Sequence, residues 1–316
     1  MDHNQCLYCY RPLYDGGEAF HPQCSKKIFN APVPPVLDYT NDQMLELAQK
    51  VIQSQTTVTG VQPKLSLGLQ KAAGKEKPQK LTIMGVFGSY ILKPPSEYYP
   101  NLPELEDLTM HLAAIAGIET VPHTLIRLKS GELSYLTRRV DRKGRQKLHM
   151  EDMCQLTERM TEAKYRGSYE QIAKALARYS ENPGLDVINF FEQVVFGFLT
   201  GNSDMHLKNF SLLKDPVRGY NLSPAYDMVA ASLVVEGDEE ELALTLNGKK
   251  KKIQYRDFSE AMGLFGLSQR PMKNIFGRFQ KALPRWHEFI DRSFLPLNMK
   301  AAYHAMLDQK ATQINL

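Results

Sequence analysis

The chain has 316 residues, of which 43% are hydrophobic, so it is long and apolar enough to build a sizeable core. It lacks the long apolar run that a transmembrane span requires, and no secretory signal is visible at its start, so we expect a cytoplasmic protein without membrane contact. The formal charge of +4 is small for this length, so direct nucleic-acid binding is not expected.

Two close pairs of metal-binding side chains lie near the amino terminus: Cys6 with Cys9, and His21 with Cys24. Thiolates and imidazole suit tetrahedral Zn2+, which could order a segment with few large apolar residues. The spacer of eleven residues between Cys9 and His21 is short, however, and reduced cysteines also serve as small packing residues. A zinc site and simple packing both remain open, and disulfides are disfavoured without a secretory signal.

The coarse organisation is three-part. Residues 1–45 are expected to form an irregular extension, and a short helix over residues 42–53 leads into a β-rich region that ends near Arg142. The remainder is mainly helical, with helices predicted over residues 169–179, 186–199, 269–282 and 298–306. Asn247-Gly248 between apolar runs predicts a hairpin turn. The predicted domains are therefore 1–45, 46–142 and 143–316.

A hydroxyl-rich segment, Thr-Thr-Val-Thr-Gly at residues 56–60, runs into an alternating apolar stretch. A phosphate-covering loop that leads into a strand has this pattern, although the segment is neither G-x-G-x-x-G nor a Walker loop and a hairpin turn explains it equally. A β-rich run then places Lys93 at its end. Such a lysine is usually only solvated, but a kinase needs one at this place in the chain order to neutralise ATP phosphates.

The next element is predicted to be a helix over residues 103–117, because leucines three and four positions apart share one face and Gly117 is a stop signal. Glu104 and Glu106 lie in its first turn, where acids favour the positive helix end. In a kinase, one acid of this helix would orient the strand lysine.

Residues 201–210 read Gly-Asn-Ser-Asp-Met-His-Leu-Lys-Asn-Phe, which places Asp204 and Asn209 five positions apart. This is the spacing with which a kinase catalytic loop sets a base and a magnesium ligand, and Asp227 follows where the main metal-binding carboxylate is needed. Asp204 would accept the proton of the attacking hydroxyl, while Asn209 and Asp227 would hold Mg2+. Asn, Ser and Asp are also ordinary turn residues, so the loop alone does not decide.

Taken together, these motifs resemble the HipA-like serine/threonine kinases, the toxins of bacterial toxin–antitoxin systems, and most of all the short HipT branch. The resemblance implies an α+β, two-lobed protein-kinase-like (phosphatidylinositol 3/4-kinase-like) fold with a β-rich amino-terminal lobe and a mainly helical carboxy-terminal lobe. The segments that carry it, over about residues 54–300, are 57–64, 91–94, 104–106, 138–142, 149–152, 201–210, 224–227 and 244–249.

The resemblance also implies roles for single residues. Asp204 would be the catalytic base, and Glu106, which matches the family motif where Glu104 does not, would pair with Lys93. Autophosphorylation would fall on Thr57 ahead of Thr59, although Thr-Val-Thr also simply favours an extended strand entry. The residues that the resemblance places at ATP and its Mg2+ are Thr59, Gly60, Val61, Gln62, Pro63, Lys64, Lys93, Arg138, Arg139, Val140, His206, Lys208, Asn209, Tyr226 and Asp227. Of these, Asn209 and Asp227 would bind the metal.

The implied function is an ATP-dependent serine/threonine kinase toxin that phosphorylates a translation component, by family precedent an aminoacyl-tRNA synthetase, and autophosphorylates its phosphate loop. HipA-like chains of full length carry a small subdomain before that loop, where only 53 residues stand here. The resemblance therefore implies a small antitoxin that supplies this subdomain, and a helix-turn-helix DNA-binding partner. The alternative is a catalytically degenerate nucleotide-binding module or a zinc-dependent interaction module.

Overall fold

The computed structural model describes residues 4–13, 19–54, 63–70, 78–84, 87–144, 146–235, 237 and 239–316. The chain forms two compact units. The first unit comprises residues 1–107, 121–139 and 292–295, and the second comprises 108–120, 140–291 and 296–316. These units cross the boundaries predicted from the sequence, since the amino-terminal residues group with the main sheet.

Helices and strands are mixed along the chain, as the α+β prediction requires. The described α-helices are α1 Pro22–Phe29, α2 Asn41–Ser54, α3 Leu102–Ile115, α4 Met153–Leu156, α5 Tyr169–Tyr179, α6 Pro183–Leu199, α7 Tyr255–Gly263, α8 Gln269–Asp291 and α9 Leu297–Gln313. The strands are β1 Leu65–Gln70, β2 Lys80–Ile83, β3 Tyr90–Lys93, β4 His123–Arg127, β5 Leu133–Arg138, β6 Arg142–Lys143, β7 Gln146–Lys147, β8 Met150–Asp152, β9 Ser211–Asp215 and β10 Gly219–Leu222.

The first unit is built on an antiparallel five-stranded sheet with the order β2-β1-β3-β5-β4. Leu92 of β3 lies opposite Leu65 of β1 and Leu136 of β5, and all three side chains are buried. Such cross-strand apolar pairs hold the register of a sheet. The predicted strand before Lys93 is confirmed: β3 is the central strand of the sheet, and its last residue, Lys93, pairs with Tyr135 of β5.

The amino-terminal segment packs into the first unit. It contains α1, and its large side chains Leu7, Tyr10, Phe20, Ile28 and Phe29 are buried. The Leu7 carbonyl accepts hydrogen bonds from the backbone of Leu125 at 3.3 Å and from the hydroxyl of Thr124 at 3.1 Å. The amino-terminal extension therefore contains a helix and packs against the main sheet, because its scattered apolar residues converge when the chain folds.

The second unit is organised around α6, in which every side chain from Phe190 to Leu199 is buried. Its aromatic rings pack against others in this unit: the ring centroids of Phe190 and Phe210 are 5.0 Å apart, and those of Phe196 and Trp286 are 5.6 Å apart. A helix that is apolar on all faces belongs in the middle of a core. The predicted helices of this unit are confirmed, although α8 and α9 extend further than the sequence pattern indicated.

Two smaller features complete the second unit. The strands β10-β9-β8 form an antiparallel sheet, in which β9 and β10 follow the loop after α6 and β8 precedes that helix in the chain. Asn247 and Gly248 both have positive φ, 49° and 75°, and a bridge joins Leu246 to Lys249, so the predicted tight turn is confirmed. None of the described helices combines the length and the apolar character that a bilayer-spanning segment requires.

Candidate active site

Lys93 ends strand β3 in the first unit. The residue is only 4% exposed, and its Nζ lies 2.5 Å from Oε1 of Glu106 on α3. The ring of Tyr135, which is opposite Lys93 in the sheet register, lies 5.4 Å from Nζ. A buried ion pair of this kind is strongly destabilised when one partner is removed. The pair therefore holds an ammonium group at one defined position.

Glu106, and not Glu104, is the acid that pairs with this lysine. Oε1 of Glu104 instead accepts a hydrogen bond from Nδ2 of Asn101 at 3.2 Å. Burial raises the pKa of the Glu104 carboxyl. Two positions along a helix turn a side chain to a different face, which separates the environments of the two acids.

The end of α6 in the second unit leads directly into the loop at residues 200–210. Gly201 has a φ of 62°, and a side chain at this position would collide with Ser232 and Met306. Its carbonyl accepts a hydrogen bond from the backbone of Ser232 at 3.1 Å. Only glycine combines this left-handed backbone with such close packing, so Gly201 lets the loop turn sharply out of the helix.

Asp204 is half-buried, and the side chain of Tyr165 holds its carboxylate. Its Oδ1 accepts a hydrogen bond from the hydroxyl of Tyr165 at 2.5 Å, and its backbone carbonyl accepts one from His206 N at 2.8 Å. A hydroxyl donor orients the carboxylate without neutralising it. The arrangement suits a base that must accept a proton from an incoming hydroxyl group.

Asn209 lies at the end of a short 3-10 helix, Leu207–Asn209, and is buried. Its Oδ1 accepts a hydrogen bond from His206 N at 3.1 Å, while its own N donates to the His206 carbonyl at 3.0 Å. An amide oxygen has two lone pairs, so this bond orients the oxygen without exhausting its capacity as a ligand. Amide and carboxylate oxygens are the donors that Mg2+ prefers.

Asp227 has a left-handed backbone with a φ of 60°. A non-glycine residue in this region costs free energy and persists where the surrounding contacts impose it, often at functional sites. The preceding Tyr226 supplies such contacts, because its hydroxyl donates to the Lys208 carbonyl at 2.9 Å and lies 2.6 Å from Oγ of Ser211. These bonds tie the Asp227 backbone to the loop that carries Asn209.

The imidazole of His206 lies close to the carboxylates of Asp204 and Asp227. Burial lowers the pKa of His206 to about 4, and the nearby charges of Asp204 and Asp227 oppose this shift. The ring is therefore neutral at pH 7 and does not cancel either carboxylate. Its Nδ1 is buried without a hydrogen-bond partner among the described residues, so a polar group of a ligand would satisfy it.

Lys208 pairs with Asp152, with 2.6 Å between Nζ and Oδ2. The other oxygen of Asp152 accepts a hydrogen bond from Gln155 N at 3.0 Å and so caps α4. The ion pair thus anchors the Lys208 side chain to a helix terminus. The same acid performs a structural and an electrostatic role.

The sequence and the fold that position these side chains are similar to those of known proteins. The family model described as the HipA-like C-terminal domain matches residues 56–286. The chain belongs to the HipA-like family.

Relatives of this HipA-like chain bear kinase names. It is 34% identical over 274 residues to "Putative kinase Y4dM" of Sinorhizobium fredii, a match that covers 82% of this chain and 65% of that protein. It is 28% identical over 252 residues to the serine/threonine-protein kinase toxin HipA of Shewanella oneidensis, covering 72% of this chain and 56% of that one. The chain thus spans 65% and 56% of the lengths of these two relatives.

The fold is also similar to a solved HipA structure. Shewanella oneidensis HipA, determined with HipB and its operator DNA, matches with a TM-score of 0.67 and 21% sequence identity over 85% of this chain and 71% of that one. At this identity the likeness establishes the HipA fold. The complex with HipB and DNA is a property of that protein.

Some of the remaining predicted site residues of this HipA-like chain lie within the described residues, and the others lie outside them. Arg138 ends β5 and donates its backbone N–H to Pro122 at 2.8 Å, and Arg139 donates to Ser89 at 2.9 Å, so both lie beside the sheet that carries Lys93. Pro63 and Lys64 directly precede β1, and Val140 is half-buried in the second unit. Thr57, Thr59, Gly60, Val61 and Gln62 lie outside the described residues.

Sequence reasoning missed two residues that contact the segments of the candidate site. Tyr165 stands 39 positions before Asp204, and no local signal links them. Asn202 is 1% exposed, and its side-chain amide faces the backbone of Val229. The amide nitrogen donates a hydrogen bond to the Val229 carbonyl at 3.0 Å, and the amide oxygen accepts one from the Val229 N–H at 3.3 Å. Its place two residues before Asp204 was the only available hint.

The structure brings the four predicted zinc ligands together in the first unit. One ligand atom from each of Cys6, Cys9, His21 and Cys24 lies within 4.8 Å of every other. Cys154, the remaining cysteine, belongs to the second unit.

Proposed function

We propose that this HipA-like chain is an ATP-dependent serine/threonine protein kinase. The observation that carries the proposal is the presence of two fixed groups: a buried Lys93–Glu106 pair in the first unit, and Asp204, Asn209 and Asp227 on interlinked segments of the second. A phosphoryl-transfer enzyme needs these functions, since its catalysis consists mainly of positioning and electrostatic stabilisation. A degenerate kinase fold would have no need to retain all of them.

Each residue has a defined task in this proposal. Bound ATP with Mg2+ supplies the phosphoryl group and the charge neutralisation. Lys93 contacts phosphate oxygens, and Asn209 and Asp227 are the residues that would hold the metal. Asp204 accepts the proton that the substrate hydroxyl loses as its oxygen attacks.

The hydrogen bonds around the acids define their orientation in advance. Tyr165 holds the Asp204 carboxylate, and the Tyr226 contacts hold the backbone of Asp227 in its left-handed conformation. Neutral His206 leaves both negative charges intact, and its Nδ1 can serve a phosphate oxygen or another polar group of the nucleotide. Such preorganisation avoids a reorganisation cost during the reaction.

The proposal extends to substrate and partners on the strength of the resemblance. The chain would act as the toxin of a toxin–antitoxin system, phosphorylate a serine of a translation component such as an aminoacyl-tRNA synthetase, and autophosphorylate its phosphate loop. Its proposed partners are a small antitoxin and a helix-turn-helix DNA-binding protein. The toxin name of one relative, and the presence of HipB and DNA in the related solved structure, support this class of partner.

The finer fold and domain assignments also belong to the proposal. A phosphatidylinositol 3/4-kinase-like arrangement, with functional parts at residues 1–45, 46–142 and 143–316, remains our interpretation. Its support is the similarity to HipA and the order of the motifs along the chain.

The decisive experiment is phosphosite mapping. Purified chain is incubated with ATP, Mg2+ and a bacterial lysate, in parallel with Asp204→Asn, and new phosphoserines are mapped by mass spectrometry. We expect sites that appear with the wild type, and a loss of about 10²-fold or more with the variant. ATP binding without any transfer by the wild type would identify a non-catalytic nucleotide-binding module instead.

A further inference from the structure

The first unit contains a second cluster of reactive side chains, apart from those assigned to phosphoryl transfer. Sγ of Cys9 lies 3.4 Å and Sγ of Cys24 lies 3.9 Å from Nδ1 of His21. In a tetrahedral zinc site, bond lengths of about 2.3 Å to sulfur and about 2.0 Å to nitrogen place such atoms about 3.5 Å apart. The observed separations bracket this value, and Cys6 completes a set of four within 4.8 Å.

The tautomer of His21 is set by its second ring nitrogen. Nε2 lies 3.0 Å from the Pro12 carbonyl oxygen. Because a carbonyl can only accept a hydrogen bond, Nε2 carries the proton in this contact. In the neutral ring the lone pair is then on Nδ1, the atom that faces the cysteines. Histidine ligands of metals commonly have this arrangement, with the other ring N–H donated to a backbone carbonyl.

The backbone positions both pairs of ligands. Cys6 and Cys9 flank a tight turn closed by hydrogen bonds of 2.9 Å from Tyr10 N to the Cys6 carbonyl and from Cys6 N to the Arg11 carbonyl. His21 is the N-cap of α1, and Cys24 lies in the first turn of that helix. Residues three positions apart lie on the same face of a helix, so both side chains point to one side of α1. The backbone N–H of His21 also points at Sγ of Cys6, at 3.5 Å, and such donors stabilise a thiolate.

Packing or oxidation explains these contacts less well. A disulfide would use two thiols and leave the third thiol and the imidazole without a role. Free cysteines that serve only as small apolar residues have no reason to converge on a histidine nitrogen. Three sulfurs and one nitrogen are a ligand set typical of structural zinc sites.

We propose that Cys6, Cys9, His21 and Cys24 bind one Zn2+ ion in a closed tetrahedral site. The four protein ligands leave no open coordination position, so the metal is structural and takes no part in catalysis. This proposal is independent of the kinase function.

The zinc site stabilises the part of the first unit that adjoins the Lys93–Glu106 pair. Tyr10, which follows the ligand turn, donates its hydroxyl to Oδ2 of Asp107 at 2.6 Å. Asp107 is the neighbour of Glu106 on α3, and its Oδ1 lies 2.7 Å from Nδ1 of His123. The metal therefore holds the turn from which Tyr10 fixes the start of α3.

Metal analysis tests the proposal directly. The 316-residue chain is purified under reducing conditions without chelator, and metal and protein are quantified together for the wild type, Cys9→Ser and Cys154→Ser. We expect about one zinc per chain in the wild type and in Cys154→Ser, and a loss of at least about 10-fold in Cys9→Ser. Cys154→Ser is the matched control because it removes a buried cysteine outside the cluster.

A measurement on the wild-type protein covers the case in which Cys9→Ser does not fold. Replacement of the bound metal by Co2+ should produce thiolate-to-cobalt charge-transfer bands and the intense visible bands of a tetrahedral site. Chelation should lower the thermal midpoint of the wild type and of Cys154→Ser. A folded wild-type chain with reduced cysteines and no zinc, or equal zinc in folded Cys9→Ser, would overturn the proposal. Octahedral cobalt spectra would do the same.

Discussion

The hydroxyl of Tyr165 donates a hydrogen bond to Oδ1 of Asp204 at 2.5 Å, across 39 positions of sequence. The same ring meets His206 edge-on, with 5.0 Å between ring centroids. One tyrosine thus orients the proposed base and packs against its neighbour. The two contacts can be separated experimentally, because phenylalanine keeps the ring and loses only the hydroxyl.

Tyr165→Phe should lower the rate of phosphoryl transfer by about 10-fold, since a hydrogen bond to a charged group contributes about that much. The free energy of unfolding should change little, because Tyr165 is 44% exposed and its ring contact is retained. The measurement is single-turnover transfer from labelled ATP, with Tyr179→Phe, a similarly exposed tyrosine, as control. An unchanged rate in Tyr165→Phe would leave the hydrogen bond without a catalytic role.

Glu106→Gln should decrease both stability and transfer. Lys93 would lose its buried ion pair with the Glu106 carboxylate, which lowers the free energy of unfolding by about 3 kcal/mol. A displaced lysine should also reduce transfer by about 10²-fold. Urea unfolding and transfer kinetics of the same preparations check both effects.

Glu104→Gln is the matched control for that change. Burial raises the pKa of Glu104, so the folded state favours the neutral acid and charging it costs stability as the pH rises through the folded pKa. The neutral glutamine avoids this cost and keeps an oxygen for Asn101. We expect Glu104→Gln to be as stable as the wild type or more stable at pH 8, and fully active. Equal losses in both variants would contradict the assignment of Glu106 as the specific partner.

Asn202→Ala should destabilise the second unit by about 1 kcal/mol, because it removes the acceptor of the Val229 N–H and one of the two donors to the Val229 carbonyl, the other being the N–H of Ala231. It should also reduce transfer, since Val229 lies two residues after Asp227. The exposed Asn298→Ala is the control and should change the free energy of unfolding by less than about 0.5 kcal/mol. A stable, fully active Asn202→Ala would show that other contacts hold this segment.

Autophosphorylation of the phosphate loop should inactivate the enzyme. A phosphate dianion on Thr57, or secondarily on Thr59, would repel the phosphates of ATP. Mass spectrometry after incubation with ATP should detect it in the wild type and not in Asp204→Asn, and Thr57→Ala should stay active longer. Equal phosphate in wild type and Asp204→Asn, or none at either threonine in active protein, would disprove self-inactivation.

The sequence by itself determined the local parts of this protein. Periodicity predicted α5 and α6 correctly, and chain order placed Lys93 at the end of a strand and Asp204 in a loop after an apolar helix. Spacing of close residues also predicted the turn at Asn247-Gly248. These features depend on side-chain period, turn chemistry and neighbours within a few positions, all of which can be read directly from the chain.

Tertiary structure alone decided which distant groups meet. It joined Tyr165 to Asp204 and Asn202 to Val229, and it packed scattered residues such as Leu7 and Tyr10 against the main sheet. It also brought the cysteine pair of a turn to the histidine of a helix N-cap. Such contacts depend on how complete helices and strands pack in three dimensions. No local pattern in a single sequence predicts this packing.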